Sequence, residues 1–113
     1  MATIRLSDEA LEIFDFLKRE SASSKKERMI YNAVVHKLEI LRQNPHYGDP
    51  LRKHLIPSYY SKMYGAKNLY RIDLPLFWRM LYTLTSAETE IEIITFILDV
   101  CEYKEYDKRF GYR

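Results

Sequence analysis

Apolar residues along this chain change their spacing near Leu69. Before it they recur at helical intervals; after it they alternate with a period of two. Residues 2–6, ATIRL, suit a short strand. Ser7 then stands as a helix cap with Asp8 and Glu9 behind it, at the end of a helix that favours negative charge. Leu11, Phe14 and Leu17, with Ala10 and Ile13, form an apolar stripe, and Lys18 and Arg19 close the last turn. After the small residues 21–24, Ser24 and Glu27 have capping-box spacing. A second helix follows to about Gln43, with Ile30, Val34, Leu38 and Leu41 on one face, and Asn44-Pro45 stops it. The short polar link predicts an antiparallel helical hairpin.

Residues 44–50, NPHYGDP, read as a loop, and 57–65 as one or two helical turns ended by Gly65. LYRIDL (69–74) and FWRMLYTL (77–84) read as strands joined at Pro75-Leu76, with SAETE as the next turn. Ile91–Val100 is almost continuously apolar, which predicts a central strand covered on both faces. The tail from Cys101 supplies one or two helical turns, with Glu105 and Arg109 spaced to pair. The pattern predicts one domain over residues 1–113 of α+β class. A short first strand precedes an α-helical hairpin, packed on one face of an antiparallel β-sheet, and a short C-terminal helical segment ends the order β-α-α-β-β-β.

Alternation assigns the faces of the strand pair. Tyr70, Ile72 and Leu74 share one side with Trp78, Met80, Tyr82 and Leu84, and should meet the helices. Arg71, Asp73 and Arg79 project from the other side, with Leu69, Phe77, Leu81 and Thr83. A solvated face with a weak Arg–Asp pair would explain this pattern. The apolar residues on the same face, and basic residues flanking the hairpin, point instead to a ribose-phosphate chain whose bases stack on aromatic surface. Those residues are Arg52, Lys53, His54, Lys62, Lys67, Lys104, Lys108, Arg109 and Arg113.

Composition adds limits. The chain is 47% hydrophobic and 30% charged, which argues against disorder, and its net charge of +2 is too mild to establish nucleic-acid binding by itself. Ten tyrosines are unusual, and Tyr59, Tyr60 and Tyr64 suit either packing over the sheet or contact with a partner. The single Cys101 excludes an intrachain disulfide and reads as a packed residue. With no apolar leader or spanning stretch, the expectation is a cytoplasmic protein off the membrane. His36, His46 and His54 lack metal-ligand spacing, and the three glycines are isolated, so neither a metal nor another cofactor is expected.

Leu69-Tyr70-Arg71-Ile72 followed by Trp78-Arg79-Met80-Leu81-Tyr82 resembles the strand pair of the RelE/ParE superfamily of toxins from toxin–antitoxin systems. Leu51-Arg52-Lys53-His54-Leu55 is similar to the stretch ahead of that pair, and Tyr103-Lys104-Glu105-Tyr106-Asp107 to the family's tail. The resemblance covers the whole chain in order and implies the same β-α-α-β-β-β fold. For RelE-like members it implies metal-independent cleavage of mRNA on the ribosome by attack of a ribose 2′-OH on the adjacent phosphate. By motif, Arg79 would carry the phosphate charge, Arg71 would assist, and Tyr106 would stack on or orient a nucleotide. Asp73 stands where such members have a second basic residue, and Glu102 and Tyr103 stand near their arginine or histidine. Asp73 or Glu102 is then left as the proton acceptor, with His54 ahead of the sheet.

Three functions follow from the resemblance: the ribosome-dependent endoribonuclease; a ParE-like toxin that poisons DNA gyrase without catalysis; or a degenerate member that binds RNA or a protein without catalysis. The first two imply an antitoxin covering the basic face, with Phe77 and Leu81 exposed until it binds. The sequence leaves oligomeric state open.

Overall fold

A computed structural model of the chain describes residues 3–86 and 93–111. Strand β1 (Thr3–Leu6) leads into α1 (Asp8–Glu20) and α2 (Lys25–Gln43). A two-residue strand β2 (Asp49–Pro50) and helix α3 (Ser58–Tyr64) precede β3 (Tyr70–Leu74), β4 (Trp78–Ser86), β5 (Ile93–Glu102) and α4 (Tyr103–Phe110). The five strands lie in the order β1-β5-β4-β3-β2. Strands β2 to β5 are antiparallel neighbours, and β1 joins β5 in parallel across the helical hairpin. The α+β expectation is met, with a mixed sheet because of β1. The turn expected over SAETE lies outside the described residues beyond Ser86. Among the described residues, no helix is long and apolar enough to cross a membrane.

Ser7 fastens the helices to the sheet. Its hydroxyl accepts from the Ala10 N–H (3.0 Å), capping α1, and donates to the Leu98 carbonyl (2.8 Å). Ala10 and Leu17 of α1 and Ile30, Val34 and Leu41 of α2 then bury against Ile72, Leu74, Trp78, Met80 and Tyr82, on the face that alternation assigns them. A fully buried Val, Leu, Ile or Met side chain in this layer contributes about 1.5–3 kcal/mol. Two helical details differ from expectation. Leu11 is exposed, because a stripe built on Ala10 continues through Ile13, Phe14 and Leu17 and leaves Leu11 on the next face. The Ser24 hydroxyl donates to the Glu27 carboxylate instead of capping the backbone, and this holds Glu27 below its usual pKa.

The opposite face of the sheet is covered too. Tyr60 of α3 and Tyr106 of α4 close over Leu69, Leu81, Leu98 and Cys101. Leu81 is therefore core, which corrects the expectation that it waits exposed for a partner. A bulge in β5 makes this layer fit. Leu81 faces Asp99 and Tyr82 faces Ile97, so Leu98 is the extra residue. Leu98 packs in this second layer while the adjacent Asp99 accepts a hydrogen bond from the Tyr60 hydroxyl (2.9 Å). Tyr59 donates to Glu9 of α1 (3.0 Å) and meets Tyr60 edge-on at 5.2 Å. The tyrosine cluster thus packs α3 onto the sheet.

The β3–β4 turn is strained. Pro75–Phe77 closes with the Trp78 N–H donating to the Pro75 carbonyl, and both Leu76 (φ 59°, ψ 36°) and Phe77 (φ 62°) are left-handed. That conformation costs about 1–2 kcal/mol per residue with a Cβ.

Candidate functional site

α3 and α4 leave one corner of the second face open, and the charged residues of β3 and β4 occupy it. Residues 71, 73 and 79 share a face by alternation, and the pairing sets Asp73 opposite Arg79. Asp73 Oδ1 lies 3.1 Å from Arg79 Nε and 3.9 Å from Arg71 Nε. The first contact lacks hydrogen-bond direction and the second is too long for a hydrogen bond, so both Nε atoms are buried beside a charge but without a bonded acceptor among the described residues. Arg79 is only 16% exposed at its side chain, against 58% for Asp73, so the carboxylate sits at the rim.

Helix α4 completes the site. Tyr103 and Tyr106, three residues apart, face the sheet together. The Arg79 guanidinium carbon lies 3.9 Å from the Tyr103 ring centroid and 4.4 Å from that of Tyr106. Tyr106 in turn stacks on Phe110 at 4.1 Å, and Phe77 meets Tyr103 edge-on at 5.6 Å. Burial works against the charge of Arg79, but the neighbouring Tyr103 and the nearby Asp73 outweigh it and raise its pKa. Arg79 is therefore an oriented cation packed against two rings, and such contact contributes about 0.5–2 kcal/mol.

Arg71 lies between two clefts. One, of about 280 Å³, is lined by Arg52, Leu55, Arg71 and Tyr106 among others; the second, of about 320 Å³, by Lys37, Tyr47, Arg71 and Asp73 among others. The four residues put forward for chemistry, Arg71, Asp73, Arg79 and Tyr106, thus come together, and Arg52 joins them. Lys37 and Tyr103 are additions. Tyr103 is readable from its spacing to Tyr106. Lys37 is not, since it reaches the cleft from α2, where its Nζ contacts the Tyr47 hydroxyl at 3.1 Å.

Other basic residues lie elsewhere. His54 lines a different cleft, with Lys108 and Phe110, so its place in the chain just ahead of the sheet does not bring it to the arginines. Lys53 is exposed in the same short turn. Lys62 and Lys67 are exposed on α3 and after it, and neither lines the clefts around Arg71. Lys104 is exposed on α4 beside Tyr103, and Lys108 pairs with Glu105 at 3.8 Å. The Arg109 side chain and Arg113 lie outside the described residues. Glu102 is exposed where β5 meets α4. Among the described residues, no group of three or more His, Cys, Asp or Glu side chains is arranged to hold a metal ion.

Comparisons of the chain with known protein families, with curated proteins and with solved structures found no match.

Proposed function

We propose that the chain is a RelE-like toxin that binds single-stranded RNA at the Arg71–Arg79 corner and cleaves mRNA on the ribosome. The observation that carries this reading is the Arg79 guanidinium, held against the rings of Tyr103 and Tyr106 with its Nε lacking a bonded acceptor. A phosphate oxygen that displaces the Asp73 carboxylate would supply that acceptor. The strand-pair resemblance supports the same assignment. In the reaction, the ribose 2′-oxygen bonds to phosphorus as the bond to the 5′-oxygen breaks, and the leaving 5′-oxygen takes up a proton from water. Arg79 stabilises the charge that builds on the phosphate, and Arg71 offers a second cation alongside. Tyr106 packs against the guanidinium and keeps it aimed. Asp73, beside both arginines, would accept the 2′ proton. An antitoxin would hold the protein inactive by covering this corner.

Primer extension on mRNA in a purified translation system tests the assignment. Cuts inside codons that require both the protein and ribosomes are the expected result. Uncut message at saturating protein would remove the ribonuclease. One observation favours a binding toxin of the gyrase-poisoning kind instead: Asp73 already offsets one of the two arginines. Inhibition of supercoiling at micromolar protein, with message uncut, would select that alternative.

Asp73 also yields a prediction. Its negative charge lies near both arginines, where an incoming phosphate would bind, so Asp73→Asn, which removes the charge at the same volume, should tighten RNA binding about tenfold and steepen its salt dependence. If Asp73 also takes the 2′ proton, cleavage falls while binding tightens. Filter binding across a salt series and single-turnover cleavage measure the two separately, and weaker binding by Asp73→Asn would contradict the arrangement.

A further inference from the structure

Two consecutive left-handed residues at the tip of a hairpin are ordinarily asparagine and glycine, because the conformation penalises a Cβ. Here they are Leu76 and Phe77. Leu76 is 43% exposed in a turn that lies beside α2, but Phe77, at 74% exposed, gains little burial in return. Neither local preference nor core packing accounts for Phe77. Conformational cost accepted without a packing gain collects at positions that bind something.

What the tip faces narrows the occupant. Phe77 is edge-on to Tyr103, and Tyr103 lies against the Arg79 guanidinium. An exposed aromatic face thus begins one ring away from the fixed cation, with the Lys104 ammonium next in sequence on α4. Apolar ring, tyrosine and arginine in succession match the base and phosphate of a nucleotide chain, and stacking on an aromatic face tolerates any base. We propose that Phe77 is a base-stacking platform, holding the nucleobase next to the phosphate that Arg79 engages, and that the strained turn exists to present it. This rests on the RNA-binding reading above and names a recognition element within it.

The strain gives the test an unusual signature. Combining Leu76→Asn with Phe77→Gly restores the residues the turn prefers, so the protein should melt several degrees higher. The same variant should bind a fluorescein-labelled single-stranded RNA about tenfold more weakly, the scale of one lost base stack. Phe77→Trp should bind as tightly as wild type or tighter. An RNA with one abasic position, walked along the oligonucleotide, should show a register at which wild type loses its advantage over the double variant. Equal RNA affinity in wild type and double variant would overturn the platform while leaving RNA binding at the arginines intact. Absence of RNA binding by the wild type would overturn both. Loss of affinity for a co-expressed protein partner, with RNA affinity unchanged, would assign the tip to that partner and overturn the platform as well.

Discussion

Arg79→Lys should lower single-turnover cleavage of ribosome-bound mRNA by about 10²- to 10³-fold, the scale on which one preorganised donor to developing charge acts. Charge is kept in this substitution, so the loss isolates geometry. A guanidinium is planar, packs against the rings of Tyr103 and Tyr106, and can hold two phosphate oxygens at once; an ammonium on a flexible stem does neither. Part of the change will appear as stability, because the side chain is mostly buried and its stacking is lost. Rates are therefore to be compared well below both melting midpoints. Adding Tyr103→Leu to Arg79→Lys should cost much less than it does in wild type, since the ring acts through the guanidinium it clamps. Cleavage by Arg79→Lys within about threefold of wild type would take Arg79 away from the reacting phosphate, because no other explanation of the clamp requires a fork.

The strand pair shows how far the sequence reaches. Alternation from Tyr70 to Leu84 separates the residues that meet the helical hairpin from those that do not, because a half-buried strand writes its faces directly into the chain. The same rule places Arg71, Asp73 and Arg79 together before any coordinates. It fails for Leu81, whose burial depends on α3 and α4 folding back over the second face, a long-range event with no local signature. It fails again along β5, where one extra residue lets Leu98 and Asp99 serve the same layer. An apolar run looks identical with or without a bulge. Helical spacing would have found Tyr103 once Tyr106 was chosen. Pro75-Leu76 marks the turn but not its hand, since nothing in a Leu-Phe pair announces a left-handed backbone. His54 shows the opposite error: nearness in sequence to the sheet does not bring it to the arginines.

Gly48→Ala should destabilise the fold by about 2–3 kcal/mol, the scale of forcing an extra carbon into a packed interior, and lower the thermal midpoint by about 10 °C. The reason is space, not backbone freedom. A Cβ there would lie 2.8 Å from the Tyr82 hydroxyl and 3.1 Å from the Arg71 carbonyl. Tyr82 cannot step aside: it is fully buried, stacked on Tyr70 at 5.1 Å, and its hydroxyl accepts from the Gly48 N–H (2.9 Å) and donates to the Pro45 carbonyl (2.8 Å). Burial of this phenol pushes its pKa up to about 12. Tyr82→Phe removes the nearest colliding atom but leaves the ring carbon Cε1 at 2.9 Å, so Gly48→Ala should cost somewhat less in that background, and the difference measures the hydroxyl's share of the collision. The consequence reaches the site, because Gly48 leads into β2, where Asp49 pairs with Arg71. Any shift that relieves the clash moves the backbone of β2 or of Arg71, while Arg79 stays anchored by α4. Gly48→Ala should therefore weaken RNA binding at temperatures where it remains folded, and do so through Arg71: in an Arg71→Ala background the substitution should leave the remaining affinity unchanged. Equal weakening in both backgrounds would show that the edge strand acts on the site by some route other than that arginine.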